Sequence, residues 1–253
     1  MIHLPPLPGT PFFEPGSLQR IVDVAVQSAR ALEAGGADGC LVQTVDRVYS
    51  ARDESDPARI AAMALVVSGV SQATGATFQV GVQMMRNALR ASLAVAKVAR
   101  ASFIRAGVLV GATLSEHGLV EADPLQVMEY RNKIDARDVK IIADVHSGQF
   151  RWPLAGKSPA EVARAAKLVG ADAVALSHAE EDQLLELVRS VREATPSLPI
   201  YLAGNTHHDN VQRLLAQADG AFVGTCLEKG GWGGPIDRER VESYVGRVRA
   251  LEQ

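Results

Sequence analysis

Short apolar runs alternate with helical stripes from one end of the chain to the other. The first run, Ile2-His3-Leu4, is stopped by Pro5-Pro6-Leu7-Pro8-Gly9. Val22, Ala25, Val26, Ala29 and Leu32 then recur at helical spacing, with Ser17 as the expected cap and Gly35-Gly36 as the stop. The same alternation predicts strands at 40–43, 77–82, 103–108, 139–146, 173–178, 200–203 and 220–224. Between them it predicts helices at 57–73, from an Asn87 cap to Arg100, from Asp123-Pro124, from Ser158, at 181–194, at 208–216 and at 237–251. Ser158-Pro159-Ala160-Glu161 has the spacing of a capping box. Stretches 109–121 and 148–157 read as long loops. Eight strand–helix units of about 30 residues match an α/β fold of the (β/α)8 TIM-barrel type. One barrel domain over residues 1–253 is therefore expected. A doubly wound open sheet is the alternative, but no Gly-x-Gly-x-x-Gly follows a strand.

Composition narrows the setting. At 47% hydrophobic over 253 residues the chain can bury a large core. The net charge of -3, without any basic block, argues against a nucleic-acid partner or an anionic membrane surface. No apolar run reaches the roughly 20 residues of a membrane span. Cys40 and Cys226 lie in apolar runs and read as buried thiols, which suits a reducing compartment. MIHLPPLPG lacks the pattern of a signal peptide, so a cytoplasmic protein is expected.

Candidate chemistry gathers at the C-terminal ends of the expected strands, where barrels keep their active sites. The fifth strand ends in Asp144, Val145 and His146. Residues two apart on a strand point to one face, so Asp144 and His146 are expected side by side. A carboxylate can orient a histidine, act with it as acid and base, or share a metal with it. His178 closes the sixth strand and His3 lies on the first. These four could gather a divalent ion, although no His-x-His or His-Glu-x-x-His spacing is present. Arg105 interrupts an apolar strand and needs an anion, either a substrate or Asp144. Gln43 ends the second strand, while Gln79 and Gln83 share a face of the third and could add hydrogen bonds. Gly204-Asn205 and Gly224-Thr225 follow the last two strands, where barrel loops bind phosphate through backbone N–H groups. Phe150 and Trp152 suggest either a lid or a contact in a homo-oligomer.

Several of these segments resemble the BtpA family, which also takes in SgcQ-like proteins. Residues 2–9, Phe103-Ile104-Arg105 with Gly111-Ala112, Gly118-Leu119-Val120-Glu121, Ile142–His146 and Phe222-Val223-Gly224-Thr225 carry the likeness. The resemblance implies a TIM barrel and, from the family's name, a role in photosystem I biogenesis. Two strand ends depart from the family pattern. Gln43-Thr44 stand where an acid followed by Asn is usual, and Ala203-Gly204-Asn205-Thr206 where Gly-Ser-Gly is usual. Three functions follow as expectations. The first is an enzyme using acid/base chemistry on a small sugar or nucleoside-like substrate, phosphorylated or not. His146 would be the acid/base, Asp144 its partner and Arg105 an anion clamp. The second is a non-catalytic assembly factor. The third is a metal-dependent hydrolase on the same barrel. Neither cofactor nor reaction is legible in the sequence.

Overall fold

Leu41, Ile142, Ala173, Ala175 and Phe222 all lie on strands, yet they form a small apolar cluster separate from the main core. Such a division arises when a sheet curls on itself. One set of side chains fills the inside, and the other packs between strands and helices. The computed structural model describes residues 1–153 and 156–251. Its sheet strands are β1 (Ile2–Leu4), β2 (Gly39–Thr44), β3 (Gln79–Gln83), β4 (Phe103–Ala106), β7 (Lys140–His146), β8 (Ala173–Leu176), β9 (Ile200–Ala203) and β10 (Gly220–Phe222). They pair in parallel in that order. Each is followed by a helix: α1 (Leu18–Ala34), α2 (Pro57–Ala73), α3 (Leu89–Val98), α4 (Pro124–Lys133), α5 (Pro159–Leu168), α6 (Glu181–Ala194), α7 (Val211–Leu215) and α8 (Arg238–Arg249). This is the expected (β/α)8 barrel. Among the described residues no backbone ladder joins β1 to β10. That seam is held by the Met1 amine, which donates to the Val223 carbonyl, and by a contact between His3 and Glu228.

Local chemistry explains where the helices begin. Asp56 and Asp123 accept the N–H groups of Ala58 and Gln126, each ahead of a proline at the first helical position. Ser158 and Glu161 form the reciprocal capping box. Ser17 and Asn87 do not cap with their side chains. The Ser17 hydroxyl donates back to Glu14. The Asn87 amide bridges both backbone groups of Val108, so α3 starts at Leu89. Asn210 accepts the His207 N–H and donates to the Asn205 carbonyl, a turn that delays α7 to Val211. Part of the stretch expected as a loop before Glu121 is an antiparallel hairpin, β5 (Ala112–Ser115) with β6 (Gly118–Glu121). The loop after β7 is described except for residues 154 and 155. No helix among the described residues is long and apolar enough to cross a membrane.

Candidate active site

The inside of the barrel has two levels. Its lower level is apolar, with Leu41, Phe103, Ile142, Tyr201 and Phe222 packed together. Its upper level, toward the C-terminal ends of the strands, is polar. His3, Gln43 and Gln83 are register partners on adjacent strands and share one face. Arg105 and Asp144 continue the ring on β4 and β7. The Arg105 Nε donates to one Asp144 oxygen and Nη2 to the other, each at 2.9 Å. Both side chains are almost wholly buried. A paired fork of this kind offsets the cost of burying two charges. Below, the guanidinium carbon lies 5.2 Å from the centre of the Phe222 ring. Above, Ser147 donates its hydroxyl to Asp144 at 2.6 Å and accepts the N–H groups of Gln149 and Phe150. Among the described residues, Nη1 of Arg105 makes no hydrogen bond within the protein.

Asp144 and His146 do not share a face. The β7–β8 register slips between them, so Asp144 pairs with Ala175 and His146 with Leu176. Those two β8 residues are consecutive, and consecutive strand residues point to opposite faces. A bulge at Val145 thus sends Asp144 inward and His146 to the rim. The expectation that Asp144 orients His146 is corrected accordingly. His146 instead donates from Nδ1 to the Ser177 carbonyl at 3.0 Å. Its Nε2 faces the Arg151 guanidinium, which donates to it. His178 stacks on the same ring, with centroids 5.8 Å apart. Burial, and then the Arg151 charge, hold His146 below its ordinary pKa, so the neutral base dominates near pH 7.

A histidine–carboxylate pair does exist, on the other side of the ring. His3 donates from Nδ1 to Glu228 at 3.0 Å, and that carboxylate is only 1% exposed. The other Glu228 oxygen accepts the Gly233 N–H. Burial is the main influence on His3 and lowers its pKa, with Glu228 opposing. The His3 imidazole is therefore neutral near pH 7, with its proton on Nδ1 and a lone pair on Nε2. Gln43 donates to Gln83, which donates to Gln149 of the β7–α5 loop, both at 2.6 Å. This amide chain lies on the wall between the two histidines.

Other expected residues fall elsewhere. Gln79 is the first residue of β3, so it sits at the N-terminal end, opposite the mouth. It is exposed there, and it lines a cavity of about 1180 Å³ together with Gly39, Phe103, Tyr201 and Phe222. The charged lining of that cavity includes Asp172 and Asp219, which are taken up in ion pairs with Lys140 and Arg192 at the strand starts, so its size does not make it the site of the chemistry. Gly204 and Asn205 both have positive φ and form the turn after β9, where the Asn205 amide donates to the His178 carbonyl. Gly224 lies against His3, and Thr225 opens a short 3₁₀ turn (Thr225–Leu227). Both turns therefore sit at the mouth. Phe150 is buried in the core, not a lid. Trp152 packs on Gly111 at the base of the hairpin. Among the described residues no three His, Cys, Asp or Glu side chains are placed to hold a metal ion, so the set His3, Asp144, His146 and His178 is not gathered as one.

Sequence reasoning missed Glu228, Gln149 and the buried pair of Asp46 and Arg59 beside β2. The Arg59 guanidinium also donates to Thr44 and to the Met85 carbonyl. The one sequence signal for Glu228 was an acid at the head of a glycine-rich loop.

A model of the BtpA family matches residues 1–250. The photosystem I biogenesis protein BtpA of Synechocystis is 30% identical over 97% of this chain and 85% of its own length. A protein of Archaeoglobus fulgidus is 31% identical over 97% of this chain and 95% of its own. Among solved structures, phosphoribosyl anthranilate isomerase from Thermus thermophilus superposes with a TM-score of 0.55 at 16% identity, covering 89% of this chain and 94% of that one. The native KDPGal structure gives 0.57 at 13% identity, covering 100% of this chain and 95% of that one. These likenesses show the barrel fold and nothing finer.

Proposed function

Since the chain belongs to the BtpA family, we propose that its barrel mouth is the active site of an enzyme. It performs acid/base chemistry on a small sugar or nucleoside-like substrate carrying phosphate. One observation carries this reading: His3 is tied through Nδ1 to a buried carboxylate, Glu228, while among the described residues Nε2 has no hydrogen-bond partner. Fixing one nitrogen sets the tautomer and aims the other. An assembly surface has no need of such a dyad beside a buried Arg105–Asp144 fork. In this reading His3 moves the proton and Glu228 positions it. The free Nη1 of Arg105 binds an anionic or carbonyl oxygen of the substrate. His146, kept neutral by burial and then by Arg151, serves from the far side of the ring as the second acid/base group once Arg151 releases its Nε2. The turns at Gly204-Asn205 and Gly224-Thr225 offer backbone N–H groups to the phosphate. A thermal-shift screen of sugar phosphates, nucleosides and nucleotides supplies the substrate, and turnover is then measured. His3→Gln should lower kcat by about 10²–10⁴-fold, the range of a positioned general base. Unchanged turnover in that variant would end the reading.

A second reading, an assembly factor, is supported by the name of the Synechocystis relative. It predicts that His3→Gln leaves biological activity intact. We also propose that the chain is a single domain that self-associates, because Leu114 and Leu119 face each other across the hairpin and are 72% and 48% exposed. Light scattering that gives only the 26.9 kDa mass would exclude the oligomer.

A further inference from the structure

The loop from Glu228 to Ile236 closes on itself at the mouth. Glu228 and Ile236 form an isolated antiparallel bridge, and the Lys229 N–H donates to the Pro235 carbonyl. Asp237 pairs with Lys229, and Arg240 donates to the Glu228 carbonyl. Inside this clasp, Gly230, Gly231 and Gly233 all have φ between 79° and 102°, a region that disfavours every side chain. Gly234 passes so close to Lys229 that a Cβ would lie 2.0 Å from its carbonyl oxygen. The clasp closes this loop at both ends, and the one aromatic side chain it carries is Trp232.

Trp232 is 61% exposed, yet its ring lies only 5.4 Å from the His3 ring, centroid to centroid. The turn that carries it is fastened to the dyad itself, since Gly233 donates to the Glu228 carboxylate. An indole at a pocket rim, near the dyad and with much of its surface open, supplies a large contact area at little entropic cost because it has only two side-chain torsions. We propose that Trp232 is a binding platform on which a ring of the substrate stacks, which brings that ring within reach of Nε2 of His3. The ligand class is a phosphate ester with a flat or apolar ring face, either a nucleobase or the C–H face of a sugar. This assignment deepens the enzymatic reading above and rests on it for the phosphate.

Binding is the test, so it does not require knowledge of the reaction. The only other tryptophan, Trp152, is replaced by Phe to leave Trp232 as the sole indole reporter. Adenosine and uridine 5′-monophosphate, ribose 5-phosphate, glucose 6-phosphate and inorganic phosphate are titrated against this variant, and Kd is then measured by calorimetry on the otherwise native chain. At least one ring-bearing phosphate should bind more tightly than inorganic phosphate and perturb Trp232 emission. Trp232→Ala should weaken that ligand roughly tenfold, the order expected for ring stacking. Trp232→Phe should restore most of the affinity, and inorganic phosphate should bind all variants alike. A nucleotide preferred over ribose 5-phosphate identifies the base as the stacked ring, and equal affinity identifies the sugar. If no ring-bearing phosphate outbinds inorganic phosphate, or if Trp232→Ala binds like the native chain, the platform is wrong. Failure of the enzymatic reading looks different: Trp232-dependent binding together with turnover that ignores His3→Gln.

Discussion

Asp144 and His146 are separated by one residue on β7 and live in different surroundings. Asp144 is sealed under Ser147 and locked to Arg105, with the Phe222 ring below that guanidinium. His146 is half-buried at the rim, between the Ser177 carbonyl, the His178 ring and Arg151. The difference comes from one slipped register position against β8. It teaches that spacing along a strand assigns a face only while the ladder is regular. Two polar residues at a strand end can then divide between building the floor of a site and working at its edge.

The division can be broken experimentally. Asp144→Ala should cost about 3–5 kcal/mol, because it leaves the Arg105 charge buried without a partner. Urea unfolding would measure it, and a loss under 1 kcal/mol would mean that the fork is not structural. Ser147→Ala comes next, at about 1–3 kcal/mol, since it removes a donor from a buried carboxylate and orphans two N–H groups. His146→Ala should stay within about 1 kcal/mol, as expected of a rim side chain with one backbone hydrogen bond, while lowering turnover.

Acid separates the regions in another way. His146 and His3 both have lowered pKa values in the folded state, so the unfolded chain binds protons more readily. Stability should therefore be full above the ordinary histidine value of about 6.5 and be lost as pH falls below it, toward the folded values. The acid limb of turnover should likewise lie below pH 6.5. Replacing His146 or His3 by Gln should flatten the stability slope in that window, and an unchanged slope would show that neither histidine is responsible. The smallest effect belongs to Gln79→Ala at the opposite end of the barrel. It should change stability by under about 0.5 kcal/mol and leave ligand binding untouched.

The barrel was legible because its strands and helices follow separate hydrophobic periods, and because Asp123-Pro124 and Ser158-x-x-Glu161 announce helix starts through strictly local chemistry. Asn87 misled because its side chain bridges to Val108, a partner that lies 21 residues away and has no local signature. The mouth was legible in outline, since His3, Arg105 and Asp144 stand out as polar interruptions of apolar strands. The pairing was not. Glu228 reaches His3 across 225 positions of sequence, from a loop with no periodicity of its own. Gln79 shows the converse error: same face is not same height, and a four-residue offset spans most of β3.

The seam between β1 and β10 carries one more consequence. β1 is three residues long and, among the described residues, has a ladder partner on one side only, β2. Amide protons along β1 and β10 should therefore exchange with solvent earlier than those of β3, β4 and β7, which have neighbours on both sides. His3 and Glu228 sit astride this line of weakness, so every transient parting of the seam also dismantles the dyad. A molecule that touches both residues would hold the two edges together. Slower amide exchange at β1 and β10 would then report its binding before any chemistry is known.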